Sequence, residues 1–191
     1  RYFFSLARET ARTDFFSLLV RFGWIEEEQA KDFLSLSERE SLSLMTGFSL
    51  RLQTEPIRTA YAFASLYNDG RLFPADSAGE DPGRNYRLVN PDPAVLARIH
   101  RGMFLCAQEG TARLLGRKEK NMYAKTGTIS WKPGSHNPAH LEGWCLGLHL
   151  DTSQRVLVMT RVKPGRGATE AVPLAAEAWN ILQRWRRQEG L

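Results

Sequence analysis

Met122-Tyr123-Ala124-Lys125-Thr126-Gly127-Thr128-Ile129 is where the chain changes its period. Before it, apolar residues recur at steps of three and four, the spacing that gathers them on one face of a helix; here the pattern becomes strand-like. A loop of Pro, Gly, Ser, His and Asn follows, from Lys132 to Pro138. Two apolar β-type runs come next, Gly143 to Leu150 and Val156 to Val162, joined by Asp151-Thr152-Ser153-Gln154. Short apolar runs set off by turn residues predict a three-stranded antiparallel meander over 121–163.

Working outward, residues 1–120 read as mainly helical. Phe3, Leu6, Ala7, Phe15, Leu18, Leu19 and Phe22 keep helical spacing, and Gly23 is a stop. A polar stretch containing the charge run Glu26-Glu27-Glu28 follows, with Asp14, Glu38 and Glu40 given no partner. Thr54 is placed as the cap of a helix that tolerates Pro56 in its first turn and ends at Asn68-Asp69-Gly70. Residues 73–90, rich in Pro, Gly, Asp and Ser, read as a surface loop. A helix is predicted from near Pro93 to Gln108, stopping at Gly110. After Pro164-Gly165-Arg166-Gly167 a terminal helix is expected over 168–188. The fold class is α+β, an antiparallel sheet covered by helices.

With 191 residues, 42% of them hydrophobic and 25% charged, the chain has the composition of a globular domain and no apolar run near the length of a membrane span. The net charge of +5 invites a nucleic-acid reading. Its basic residues are scattered, however, and the densest groups, Arg113-Arg117-Lys118-Lys120 and Arg184-Arg186-Arg187, read as solvated surface. The two cysteines, Cys106 and Cys145, lack metal-ligand spacing, and each sits in an apolar stretch. One disulfide between them is allowed, and nothing requires it. His100, His136, His140 and His149 fit no zinc template, so neither metal nor cofactor is expected. Trp131, Trp144, Trp179 and Trp185 read as packing aromatics.

Lys125-Thr126-Gly127-Thr128 carries the chemistry. A strand with a Lys, two Thr hydroxyls and a Gly that admits a neighbouring backbone can bind a carboxylate by charge-assisted hydrogen bonds. A free strand N–H beside it can stabilise an acyl-transfer oxyanion. The K-T-G triplet resembles that of penicillin-binding proteins and serine β-lactamases. Further segments resemble penicillin-binding transpeptidases in the same order. They are Gly47-Phe48-Ser49-Leu50 with Thr54, Pro56, Ala60-Tyr61-Ala62 and Asn68-Asp69-Gly70-Arg71; Gln108-Glu109-Gly110-Thr111-Ala112-Arg113; Glu142-Gly143-Trp144-Cys145-Leu146-Gly147; and Pro164 to Trp179. Ala124 stands where that family usually has Gly.

The resemblance implies a β-lactamase/transpeptidase-like fold, with residues 1–191 as the C-terminal part of one domain lacking its N-terminal strands and nucleophile helix. Lys125 would supply charge to a terminal carboxylate and to the proton relay, and Thr126 and Thr128 would hydrogen-bond that carboxylate. The Thr128 N–H would be one of two oxyanion donors, and Gly127 would keep the strand edge clear. The implied partners are a peptidoglycan stem peptide, β-lactams and the missing N-terminal half, in cis or in trans, with no nucleic acid. The implied location is the cell envelope, outside the cytoplasmic membrane. The family's S-x-x-K motif occurs nowhere in the 191 residues, and Ser135-His136-Asn137 matches S-x-N by letters but falls after the K-T-G strand. The start, Arg1-Tyr2-Phe3-Phe4-Ser5-Leu6-Ala7, resembles the helix that follows that motif and suggests a cut chain. The chain alone is therefore expected to be inactive, while its parent is a D,D-transpeptidase. A D,D-carboxypeptidase, a β-lactamase or a non-catalytic module are the alternatives.

Overall fold

The computed structural model describes residues 2–47, 49, 51–74, 85–132, 135, 137–151 and 155–190. Phe48 and Leu50 of the G-x-x-L segment, most of the expected loop at 73–90, His136, and Thr152-Ser153-Gln154 of the expected turn lie outside them. The chain divides into two compact units, Arg1–Pro91 and Asp92–Leu191.

In the first unit, α1 (Tyr2–Glu9) and α2 (Arg12–Arg21) follow the expected apolar spacing, and Gly23 ends the second at a φ of +70°. The segment read as a polar stretch is instead two helices, α3 (Glu27–Leu34) and α4 (Glu38–Met45). Each starts at a capping box: the Gln29 side chain accepts from the Glu26 N–H at 3.0 Å, and Glu40 accepts from the Ser37 N–H at 3.2 Å. Glu40 also meets Arg51 at 3.4 Å, so it has the partner that sequence spacing did not supply. Phe16, Leu19, Ile25, Ala30, Phe33 and Leu44 form the unit's core. In α5 (Pro56–Ser65) the residue at the N-cap position is Glu55, not Thr54, and its side chain makes no capping hydrogen bond. Pro56, with its fixed φ and no N–H, takes the first helical position and makes the residue before it the cap. The helix ends at Ser65, before the expected turn. Gly70 follows at a φ of +76°, where a Cβ would lie 2.5 Å from the Val89 carbonyl oxygen. That approach lets the Val89 N–H donate to the Gly70 carbonyl at 2.7 Å, beside a two-stranded ladder of β1 (Arg71–Leu72) and β2 (Arg87–Leu88).

In the second unit, α6 (Pro93–Gln108) matches the expected helix. Asp92 caps it by accepting from the N–H groups of Ala94 and Val95. A short α7 (Arg113–Gly116), not foreseen, leads to the meander β3 (Met122–Ser130), β4 (Leu141–Leu150) and β5 (Arg155–Val162), paired antiparallel in the order β3-β4-β5. β4 begins two residues before the expected Gly143. The terminal helix opens with a π-helical turn, Gly167–Ala171, and continues as α8 (Val172–Glu189).

One face of this sheet carries Met122, Ala124 and Cys145, buried against Leu115 of α7 and Val172, Ala175, Ala176 and Trp179 of α8. On the other side of β3, Tyr123 packs against His100 and Phe104 of α6. Trp179 is core, and Trp131, though 38% exposed, packs edge-on against His140 at 4.8 Å, whereas Trp185 is 48% exposed and lies outside the core.

Where α8 joins the sheet, backbones meet without side chains between them. A Cβ on Gly143 would lie 2.3 Å from the Arg166 carbonyl carbon, and one on Gly167 would lie 2.5 Å from the Gly127 carbonyl oxygen. Neither backbone can yield without moving the sheet or α8. Gly167→Ala is expected to destabilise the chain by about 1–3 kcal/mol, the usual cost of overpacking. Urea unfolding measures it, and an unchanged midpoint would contradict the close approach.

Candidate functional site

β3 sits at the margin of the three-stranded sheet, and its backbone alternation decides which groups face outward. The Leu150 N–H donates to the Asn121 carbonyl at 3.2 Å and the Trp131 N–H to the His140 carbonyl at 3.0 Å. Both pairs share the register that sets Thr126 opposite Cys145 and Thr128 opposite Gly143. In an antiparallel ladder every second residue turns its N–H and C=O to the partner strand and the next turns them away. Tyr123, Lys125, Gly127 and Ile129 therefore bond to β4, while Thr126 and Thr128 direct their backbone groups to the opposite edge. Among the described residues no strand pairs along that edge.

Side chains follow the complementary alternation. Lys125 is exposed, and its ammonium donates to the Thr126 carbonyl oxygen at 2.6 Å, so its charge stays beside the open edge. Thr126 is half-buried, with its Oγ1 2.6 Å from that of Thr111, whose oxygen in turn lies 3.5 Å from Cys106 Sγ. Thr128 is exposed, and its Oγ1 accepts from the Gly167 N–H at 2.9 Å. A Cβ at Gly127 would meet Trp144 Cβ at 3.9 Å, an ordinary contact, so packing within the described chain does not demand glycine there. The tight glycine is Gly167, which lies against the Gly127 backbone.

Sequence reading named the four residues of the strand but gave no role to Thr111 or Gly167. Both lie in segments whose resemblance was noted, Gln108 to Arg113 and Pro164 to Trp179. Their contacts with Thr126 and Thr128 depend on chain separations of 15 and 39 residues, which no local pattern reports.

Beside the motif, on the face that bears Lys125 and Gly127, Arg161 forms a two-pronged pair with Glu142 at 2.8 and 2.7 Å and lies over the Trp144 ring at 5.1 Å. Burial works to raise the Glu142 pKa. The hydrogen bonds and charge of Arg161, with Lys163 further off, outweigh it and hold the carboxyl below its ordinary 4.5. Cys145 is buried, and that burial, with Cys106 nearby, pushes its thiol up to about 12, so it is no nucleophile at neutral pH. Ser135 and Asn137 serve their own loop. The Ser135 hydroxyl lies 2.6 Å from His140 Nδ1, and the Asn137 side-chain oxygen Oδ1 accepts from the Ala139 N–H at 3.0 Å. Among the described residues no cluster of His, Cys, Asp and Glu could hold a metal ion, and no helix is long and apolar enough to cross a membrane.

Neither protein-family models nor curated protein sequences match the chain. In structure it is similar to a penicillin-binding protein (PBP2) from Helicobacter pylori, at a TM-score of 0.69 and 16% identity over 96% of this chain. The fold is thus similar to part of that penicillin-binding protein, and the chain spans 38% of that protein's length.

The Glu142 pair has a pH signature. A carboxyl whose folded pKa lies below its unfolded value adds stability above the unfolded pKa and loses it as pH falls through the folded one. Stability should decline as the pH drops below 4.5, and Glu142→Gln should remove that part of the decline while lowering stability at neutral pH. Urea midpoints across the range measure this; parallel pH profiles for the two chains would contradict it.

Proposed function

We propose that residues 1–191 are the C-terminal part of a penicillin-binding transpeptidase domain, and that β3 is the edge along which a D-Ala-D-Ala stem peptide or a β-lactam lies. The observation that supports this most is the outward backbone of Thr128 on the strand that also carries Lys125 and the two Thr hydroxyls. A serine encoded outside these residues would attack the peptide carbonyl. The developing oxyanion would take hydrogen bonds from the Thr128 N–H and from the serine's own N–H. Lys125 and the hydroxyls of Thr126 and Thr128 would hold the terminal carboxylate, fixing the carbonyl against both donors. D-Ala leaves, and the acyl group passes to a stem-peptide amine.

Delivery to water instead would make the parent a D,D-carboxypeptidase or a β-lactamase. That outcome depends on water access around a shared site. The first half of the domain would supply two strands and the nucleophile helix, and such a protein works outside the cytoplasmic membrane. A second reading, a non-catalytic module of the same fold, draws on one observation: no S-x-x-K occurs in the 191 residues.

An acyl-enzyme needs nucleophile, base and oxyanion donors within hydrogen-bond reach, and these residues supply only part of the last. The 191-residue chain should therefore show no covalent band with a fluorescent penicillin after denaturing electrophoresis. The parent protein should be labelled, and Lys125→Ala in it should slow labelling by roughly 10- to 100-fold, the scale of one lost hydrogen bond to a charged group. A labelled band from the short chain, or an unlabelled parent, would overturn the transpeptidase reading.

A further inference from the structure

The two hydroxyls of the motif are not free-standing. Behind each oxygen the scaffold places one hydrogen-bonding group, and the polarity of one of them is fixed. An amide N–H can only donate, so the Gly167 N–H at 2.9 Å makes Thr128 Oγ1 an acceptor and leaves the Thr128 proton for another partner. Thr126 has a hydroxyl in the corresponding place, that of Thr111 at 2.6 Å. Two hydroxyls so close share one proton between them, and the direction of that bond decides what Thr126 offers outward. If Thr126 donates to Thr111, it faces a ligand as an acceptor only. If Thr111 donates to Thr126, Thr126 keeps its proton for the ligand and matches Thr128.

We infer that Thr111 is a positioning residue: it donates to Thr126, so that Thr126 and Thr128 meet the ligand as a matched pair of donors. Two observations favour this direction. Cys106 Sγ lies 3.5 Å from Thr111 Oγ1, and its S–H is a weak donor able to occupy the Thr111 oxygen from behind. The Lys125 ammonium lies 2.6 Å from the Thr126 carbonyl, so an anion is the ligand this margin attracts, and an ionised carboxylate accepts without donating. With a carboxylate bound, only the Thr111-to-Thr126 direction leaves every partner satisfied. The consequence is selectivity by ligand charge. A carboxylate gains both hydroxyl protons and the ammonium, whereas its ester keeps a carbonyl acceptor but loses the charge that strengthens each bond. The inference rests on the proposed β-lactam-binding edge and deepens it.

The test compares acylation rates of the parent protein by a penicillin and by its methyl ester, in wild type, Thr111→Val and Thr111→Ser. The valine keeps the shape and removes the hydroxyl; the serine restores it. Wild type should prefer the free acid. Thr111→Val should lose about tenfold with the acid and little with the ester, so that the preference shrinks, and Thr111→Ser should recover it. A merely structural role for Thr111 would slow both ligands alike, and that result overturns the inference, as does a full preference retained in Thr111→Val. Thermal unfolding of each variant separates misfolding from a change in selectivity. A wild-type parent that reacts with neither ligand overturns the β-lactam reading itself, and this inference falls with it.

Discussion

A β-strand can spend its backbone on both neighbours only by alternation, and among the described residues β3 has a partner strand on one side only. Lys125 and Gly127 are bound to Leu146 and Trp144 of β4, which leaves Thr126 and Thr128 with outward N–H and C=O groups at fixed spacing. Such an edge is ordinarily an aggregation hazard, managed by charge or by cover. Here a lysine stands on it, and the residues on either side of Gly127 carry hydroxyls. The same constraint that makes the edge reactive also orders the groups around it, because side chains and backbone groups alternate in step.

What holds β3 to that geometry is a contact without side chains. Gly143 and Gly167 let the segment before α8 lie directly on the sheet, with the Gly167 N–H reaching Thr128 and the Thr160 hydroxyl donating to the Ala171 carbonyl at 2.7 Å. From there α8 runs over the sheet and places Trp179 in the same buried core as Met122 and Ala124. Thr111, on the turn after α6, fixes Thr126 in the same manner. The strand is thus gripped through its two threonine hydroxyls, while among the described residues no strand pairs along its outer edge.

Much of this was legible in the residues. A change of period near residue 121 and two short apolar runs set off by turn residues located all three strands of the meander, and Pro93 with Gly110 bracketed α6. The penicillin-binding-protein fold expected from the ordered motifs is the one the structure comparison supports. α3 and α4 were missed because they carry few apolar residues, although Ser37-Glu38-Arg39-Glu40 holds the spacing of a capping box. Residue type points to Thr54 as the cap of α5, but the position of Pro56 is the stronger constraint. The roles of Thr111 and Gly167 were beyond reach, since a hydroxyl pair or an amide-to-hydroxyl bond between distant segments leaves no periodic trace. The Glu142–Arg161 pair was equally hidden. It joins neighbouring strands at a register that the loop lengths alone do not specify.

Amide hydrogen exchange along β3, followed residue by residue, addresses the central claim most directly. Lys125 and Gly127, bonded into the β4 ladder, should exchange slowly, and Thr126 and Thr128, facing the open edge, should exchange far faster. Equal protection across the four would mean that the edge is closed in solution and cannot receive a peptide carbonyl or its oxyanion.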